Sequence, residues 1–146
     1  MDFIEWNGRL ALHDESINGE HKMLMRKANI LHTAVRKGSP AEVTLPLVDD
    51  LLRTLREHCE HEEQEMFAVG YPAAEQHRDN HLCYCNNLLE IREQIVQSSS
   101  ASVLTDVTFV LSWLATHINK ADRAADDYIF RHRHHTSSAH TQRATH

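Results

Sequence analysis

The sequence is poor in the residues that sheet-rich and disordered proteins need. It contains only 4 glycines and 3 prolines in 146 residues, too few for the frequent tight turns of a β-sandwich or barrel. Hydrophobic residues make up 41% of the chain and charged residues 25%, a balance typical of a folded domain. The composition therefore predicts one compact helical domain of ordinary size.

Three further absences exclude classes of function. No apolar run approaches the roughly 20 residues that a membrane-spanning helix needs, and the start, M-D-F-I-E-W, has acids where a signal peptide has a basic region. The formal net charge is −6 with no concentrated basic face, which argues against a nucleic-acid binder. The three cysteines make a poor disulfide framework, since their number is odd (Cys59, Cys83 and Cys85). We therefore predict a cytoplasmic protein that contacts neither membrane nor nucleic acid.

Apolar periodicity predicts the first two of four helices. Residues 21–35 follow the i, i+3, i+4, i+7 pattern of an amphipathic helix, and Gly38 is placed to end it. Ser39 is the predicted N-cap of the second helix. Pro46 leaves two alternatives there: the helix begins after Thr44, or a short turn precedes a kink.

The third and fourth helices are separated by clear breaks. Gly-Tyr-Pro at 70–72 interrupts the chain, and the third helix is predicted to run from there to Gln97. The serine-rich run 98–102 reads as a loop with a cap at its end. The fourth helix begins at Val103 and fades near Phe130.

Connections this short force neighbouring helices to be antiparallel. We therefore predict an all-α fold, an up-down-up-down four-helix bundle over residues 1–130, with an extended N-terminal arm at 1–17. The polar, histidine-rich tail 131–146 has no apolar periodicity and is predicted to be disordered.

Five histidines and two carboxylates recur on the inward faces of all four helices. Residues four apart share one face of a helix, so His58 with Glu62, and His77 with His81, can each reach one point. The five-residue step from His117 to Asp122 overshoots one turn and suits a carboxylate that spans two ions. Seven ligands are too many for one tetrahedral zinc and about right for two iron ions. The candidate ligands are His21, His58, Glu62, His77, His81, His117 and Asp122.

The surrounding motifs resemble those of a known family. The segments H-C-E-H-E-E-Q-E-M, H-R-D-N-H and W-L-A-T-H-I-N-K-A-D, with I-E-W and I-N-G-E-H-K-M-L before them, look like hemerythrins, specifically the bacterial single-domain kind, over roughly residues 3–130. The resemblance implies a non-haem di-iron site, with a bridging oxo or hydroxo group, that binds O₂ reversibly. By position, one iron would take His77, His81 and His117, and the other His21 and His58. Glu62 and Asp122 would bridge, leaving an open position for O₂ on the two-histidine iron.

The resemblance also implies an apolar O₂ pocket. The matching positions are Leu24, Cys59, Trp113, Leu114 and Ile118. None of these side chains offers a general base or an activated nucleophile, so we predict a binding protein rather than an enzyme. Two residues depart from the family pattern: Asn18 stands where an aspartate is usual, and Cys59 replaces a phenylalanine expected beside the open iron.

The predicted function is reversible O₂ binding, as a carrier, store or supplier. Two alternatives stay open: an O₂ or redox sensor that acts through a partner, and a di-iron enzyme or iron-handling protein that consumes peroxide or nitric oxide. Ferritin-like oxidases use Glu-x-x-His repeats, and the sequence contains none. We expect O₂ as ligand, small anions such as azide in the oxidised form, and a monomer, because the outward faces are charged.

Overall fold

A computed structural model describes the backbone of residues 4–97 and 102–144, and side chains as far as His134. The described chain is helical and contains no strand. Most of the predicted 98–102 loop and the first three residues of the arm lie outside the described residues. The elements are a 3₁₀ turn at Gly8–Leu10, α1 at Glu15–Arg36, α2 at Ala41–Ala68, α3 at Ala74–Val96, α4 at Val103–His117, a π-helical segment at Ile118–Asp122, and α5 at Arg123–Ala144.

Side-chain and glycine caps fix both ends of α1. The Asp14 side chain accepts hydrogen bonds from the backbone N–H groups of Ser16 and Ile17, so the arm ends at Asp14, three residues earlier than predicted. Gly38 has a φ of +73° and its N–H donates to the carbonyl of Val35, which confirms the predicted C-terminal stop.

The start of α2 differs from both alternatives that Pro46 suggested. The helix begins at Ala41 and continues through Pro46 without interruption, and Pro40 rather than Ser39 occupies the N-cap position. Pro46 lies within the second turn of α2 and is exposed. It has no N–H to donate to the backbone carbonyl of Glu42, four residues earlier, and Glu42 is exposed as well. Water can replace that one hydrogen bond, so the proline is tolerated.

The fourth helical stretch is longer than predicted. The sequence predicted an end near Phe130 and a disordered tail over 131–146, but the backbone stays helical through Ala144. No glycine or proline occurs between 123 and 144 to stop it. Arg133 also forms an ion pair with Glu65 of α2, which ties the first turn beyond Phe130 to the bundle.

Each of the four helical stretches packs against two neighbours. Contacts join α1 to α2, α2 to α3, α3 to α4 and α4 back to α1, which is consistent with the predicted bundle order. A large apolar cluster fills the space between them, and a smaller one forms around Met66, Ala74 and Ala125. The predicted metal ligands fall between these two clusters along the helices. Within the described residues, no helix is both long and apolar enough to span a membrane.

Two buried asparagines on α1 hold the arm. Asn18 accepts a hydrogen bond from the Leu12 N–H at 2.8 Å and donates to the Leu12 carbonyl at 3.0 Å. Asn29, three turns further on, makes the same pair of bonds to Ile4, at 3.0 and 2.6 Å. An amide both donates and accepts, which an ionised carboxylate does not. Asn18, which stands where the family usually has an aspartate, can therefore make both hydrogen bonds to the backbone of the arm.

The arm is also fastened to α5. The Asp126 carboxylate accepts hydrogen bonds from the backbone N–H groups of His13 and Asp14, at 2.8 and 3.3 Å. Arg123 donates to the carbonyl groups of Arg9 and Ala11. The arm thus closes over the end of the bundle at which α1 begins and α5 leaves the π-helical segment.

Candidate metal centre

The fold brings all seven predicted ligands together in the interior. Each is at least 94% buried, and together they come from all four helical stretches. Side chains four apart on α2 and on α3 face the same point, as the spacing predicted. Five histidines and two carboxylates thus share one buried volume, where charge without a compensating partner would be costly.

Three of the histidines converge on one point. His117 Nε2 lies 3.1 Å from Nε2 of both His77 and His81. Asp122 Oδ1 is 2.9 Å from Nε2 of both His77 and His117. Glu62 Oε1 lies 3.3 Å from His81 Nε2 and is also in contact with His77. Three ring nitrogens and two carboxylate oxygens therefore face a common centre.

The other two histidines form a second group with the same carboxylates. His21 Nε2 lies 3.0 Å from Asp122 Oδ2, and His58 Nε2 lies 3.2 Å from Glu62 Oε2. Each carboxylate therefore directs one oxygen to the three-histidine group and the other to the two-histidine group. This division of oxygens is the arrangement needed to bridge two cations.

The unpaired atoms at this centre indicate what it is built to bind. Both ring nitrogens of His21, Glu62 Oε2 and both Asp122 oxygens are buried without a hydrogen-bond partner. A buried polar atom without a partner costs about 1–3 kcal/mol. Imidazole nitrogens facing each other across 3.1 Å also need something between them that accepts lone pairs. Cations at the two convergence points would satisfy His21 Nε2 and the three carboxylate oxygens, but not His21 Nδ1, which lies on the other side of the ring.

The pKa values of the metal-free chain also indicate that this centre attracts positive charge. Burial alone would lower the pKa of His58, but Glu20 and Glu62 outweigh it and raise the pKa to about 10. Burial likewise opposes a rise at His77, where Asp122 and Glu62 raise the pKa to about 9. Burial would raise the pKa of Glu62, yet the surrounding histidines hold it well below its usual range. The two carboxylates thus attract positive charge, which protons supply in the metal-free chain and metal ions can replace.

The π-helical segment gives Asp122 its position. In a regular α-helix, with 3.6 residues per turn, residues five apart point about 140° away from each other. The i→i+5 turn at Ile118–Asp122 widens the helix locally, so His117 and Asp122 face the same centre. Such π-bulges are frequent at functional sites. The sequence predicted Asp122 as a bridging ligand but not the local helix that makes this possible.

The family model of the hemerythrin HHE cation-binding domain matches residues 13–125, most of the chain. The chain belongs to the hemerythrin family. No individual curated protein matches the chain. The matched range includes both groups of buried ligand atoms described above, so the fold and the family assign them to the same cation-binding core.

Two glutamates orient ligands of this hemerythrin centre from outside. Glu20 Oε1 lies 2.7 Å from His58 Nδ1, and its other oxygen lies 2.6 Å from His61 Nδ1. Glu63 Oε2 lies 3.1 Å from His81 Nδ1. A carboxylate on the outer nitrogen of a ligating histidine fixes the ring and directs its other nitrogen to the metal. Sequence analysis missed both residues, because each stands among other acids and only the tertiary contact distinguishes it.

Glu20→Gln is expected to weaken metal binding by about 10–100-fold, because it removes the negative acceptor that orients His58. Equilibrium competition with a chelator of known affinity measures the change. Glu60→Gln is the matched control, since Glu60 is an exposed acid on α2 beside the same motif. Equal metal affinities in the Glu20→Gln and Glu60→Gln variants would show that Glu20 has no orienting role.

A cavity of about 470 Å³ reaches this hemerythrin centre from the arm side. Its walls include Leu12, Ile17, Ala125 and Ile129, and it extends to the buried carboxylates of Glu62 and Asp122. The cavity therefore joins the bridging carboxylates to the region covered by the arm.

The predicted O₂-pocket residues lie elsewhere, within the larger apolar cluster. Leu24, Cys59, Leu114 and Ile118 are buried there, and Trp113 packs against it with its ring centroid 4.7 Å from that of His117. The five residues thus form an apolar wall beyond the ligands. Their role as an O₂ pocket stays a prediction.

Cys59 also lies beside the three-histidine group. Its sulfur lies within 4.8 Å of a Glu63 oxygen and of a ring nitrogen of His81, which belongs to the three-histidine group. One residue along an α-helix turns the side chain by about 100°, so Cys59 cannot share the direction of the preceding His58. The thiol faces α3, and its place beside the open position of the two-histidine iron stays a prediction.

Proposed function

We propose that the chain binds O₂ reversibly at two iron ions held by the seven buried ligands. The observation that supports this most strongly is the division of the carboxylate oxygens between unequal histidine groups. One centre is offered three histidines and two oxygens, the other two histidines and two oxygens. The second centre therefore has one protein ligand fewer, and an exogenous ligand can take that position.

The donor set favours iron over zinc. A structural zinc site is usually tetrahedral and often includes thiolates, whereas the two groups here offer five and four donors and include no sulfur. Imidazole and carboxylate ligands together suit iron. Two ferrous ions held by these residues would supply the electrons that reversible O₂ binding requires.

The chain's own residues would protect this chemistry from water. Leu24 and Ile118 are fully buried, the first three residues after His21 and the second directly after His117. Leu114 lies three residues before His117. An apolar surrounding disfavours the entry of charged molecules and of the water that would help a reduced oxygen species to leave. Glu20 and Glu63 would hold the His58 and His81 rings in place while the ligand enters and leaves.

We place this activity in the cytoplasm, with the monomer as the active form. A sensor role is the second candidate, supported by the arm. Leu12 lines the cavity that reaches the bridging carboxylates, and Asp126 on α5 holds the adjoining backbone of His13 and Asp14. A displacement of Asp122 on ligand binding would therefore move Asp126, four residues later on the same helical stretch, and with it the arm.

Reversible binding is tested with iron-loaded protein reduced under anaerobic conditions. Exposure to O₂ should produce a visible absorption band that disappears when O₂ is removed under argon and returns on a second exposure. The oxidised protein should bind azide and develop a band of its own. Irreversible oxidation at the first exposure, or purification with zinc as the resident metal, would contradict the proposal. Arm displacement on oxygenation, measured by hydrogen exchange of residues 9–14, would favour the sensor role.

A further inference from the structure

Two thiols meet at the seam between α2 and α3. Cys59 on α2 and Cys85 on α3 are both buried, and their side chains hydrogen-bond to each other. The third cysteine, Cys83, is exposed although it lies only two residues from Cys85. The chain therefore contains one facing pair of thiols and, on the same helix, one thiol outside that pair.

Small molecules can reach this pair from solvent. A surface groove of about 470 Å³ runs between the two helices, and both cysteine side chains line it together with Arg56, Phe67 and Leu82. The groove is distinct from the arm-side cavity, with which it shares no lining residue. The thiols are thus shielded by packing but remain open to a reagent of the size of a peroxide.

The surroundings distinguish the two sulfur atoms. The hydrogen bond from Cys59 and, after it, the Arg56 guanidinium lower the pKa of Cys85 to about 7 despite partial burial. Arg56 lines the same groove and its guanidinium favours the thiolate of Cys85, the nucleophilic form of cysteine. Cys85 is therefore the attacking sulfur, and Cys59, the more buried of the two, is the resolving one.

We propose that Cys59 and Cys85 form a reversible intrachain disulfide on reaction with a hydroperoxide. The Cys85 sulfur attacks one peroxide oxygen, the O–O bond breaks, and the second oxygen leaves as water or alcohol after taking up a proton. The sulfur is thereby oxidised to a sulfenic acid. The Cys59 sulfur then attacks Cys85, the S–O bond breaks, and water leaves with the thiol proton. One hydroperoxide is reduced by two electrons and two thiols become one disulfide.

This inference does not rest on the proposed O₂ binding, because the sulfur chemistry needs no electrons from the metal centre. The bond would covalently join the two helices that carry His58, Glu62, His77 and His81. It would form beside the hydrogen bond from His81 to Glu63, since Cys59 lies close to both groups. The pair is therefore a modification site adjacent to the metal centre.

The test treats the iron-loaded, oxidised protein with hydrogen peroxide, alkylates the remaining thiols, and measures intact mass and linked peptides. The expected result is the loss of two hydrogen atoms, a Cys59–Cys85 peptide pair, one alkylated thiol at Cys83, and three alkylated thiols after reduction with dithiothreitol. Cys83→Ser, the matched control, should still form the bond, and Cys85→Ser should not. Cys59→Ser should instead retain one oxygen on Cys85, trapped by a sulfenic-acid reagent.

Three results would overturn the proposal. The first is alkylation of all three thiols in the peroxide-treated wild-type protein. The second is a cross-link between chains through Cys83, in place of the intrachain bond. The third is conversion of Cys85 to a sulfinic or sulfonic acid without any link to Cys59. All three are read from the wild-type protein, so they do not depend on the stability of a variant.

Discussion

The Glu62→Gln variant is expected to hold at most one iron per chain, whereas the unaltered protein should hold two. Glu62 directs one oxygen to His81 and the other to His58, and the amide keeps the shape but loses the charge and one of the two acceptors. Asp122→Asn should act in the same way, since its oxygens divide between His77 and His21. Metal analysis of protein reconstituted with ferrous iron and then desalted gives the count.

The matched control for both variants is Glu57→Gln, an exposed acid on α2 that pairs only with Arg53. It should retain two irons. Retention of two irons by Glu62→Gln and by Asp122→Asn would mean that neither carboxylate bridges. One metal per chain in the unaltered protein would contradict the two-ion site altogether.

Removal of the metal should lower the melting temperature by about 10–20 °C. Four buried atoms that face the centre, His21 Nε2, Glu62 Oε2 and both Asp122 carboxylate oxygens, have no hydrogen-bond partner within the described residues, and each such atom costs about 1–3 kcal/mol. A combined loss of about 5 kcal/mol corresponds to that shift at about 2–4 °C per kcal/mol for a chain of this size. Calorimetry before and after chelation, followed by reloading with iron, measures the loss and its reversal. A metal-free protein that melts at the same temperature would refute the expectation.

The metal-free protein should also respond to pH in a defined way. His58 has a folded-state pKa of about 10 against an ordinary 6.5, so its stabilising contribution is complete below pH 6.5 and is lost as the pH rises towards 10. Glu62 has a lowered pKa, so its contribution is present above its ordinary 4.5 and is lost as the pH falls further. Stability should therefore be greatest between pH 4.5 and 6.5 and decline towards pH 10. Iron-loaded protein should not show this decline, because metal binding requires the neutral histidines.

The helices, and the residues that meet at the buried centre, were predictable from the sequence because both depend on local spacing. A step of four residues has a single geometric meaning on a helix, so the pairs His58 with Glu62 and His77 with His81 could be assigned before any tertiary structure was known. Gly38 and Gly70 were equally informative, because both adopt positive φ at helix ends.

The features that the sequence did not predict depend on contacts between distant segments. Glu20 and Glu63 resemble any other surface acids until His58 and His81 are placed beside them. The helix beyond Phe130 was missed because apolar periodicity was taken as its signal. A polar stretch free of glycine and proline can continue a helix that packing has already started. Cys59 was assigned by family resemblance, and its proximity to Glu63 and His81 was not predicted.

The π-helical segment also sets the direction in which the side chains of α5 point. It contains one residue more than a regular helix would need. Each residue of α5 is therefore turned about the helix axis by about 100° from the direction that a continuous α-helix would give it. A regular α-helix over the same residues would remove that offset and turn Asp122 about 140° away from His117. Asp122 would leave the metal ligands, and Asp126 would turn away from the arm that it holds. The π-helical geometry of this segment is thus under tighter constraint than its side chains, since Asn119 and Lys120 are exposed and can be substituted with both functions intact.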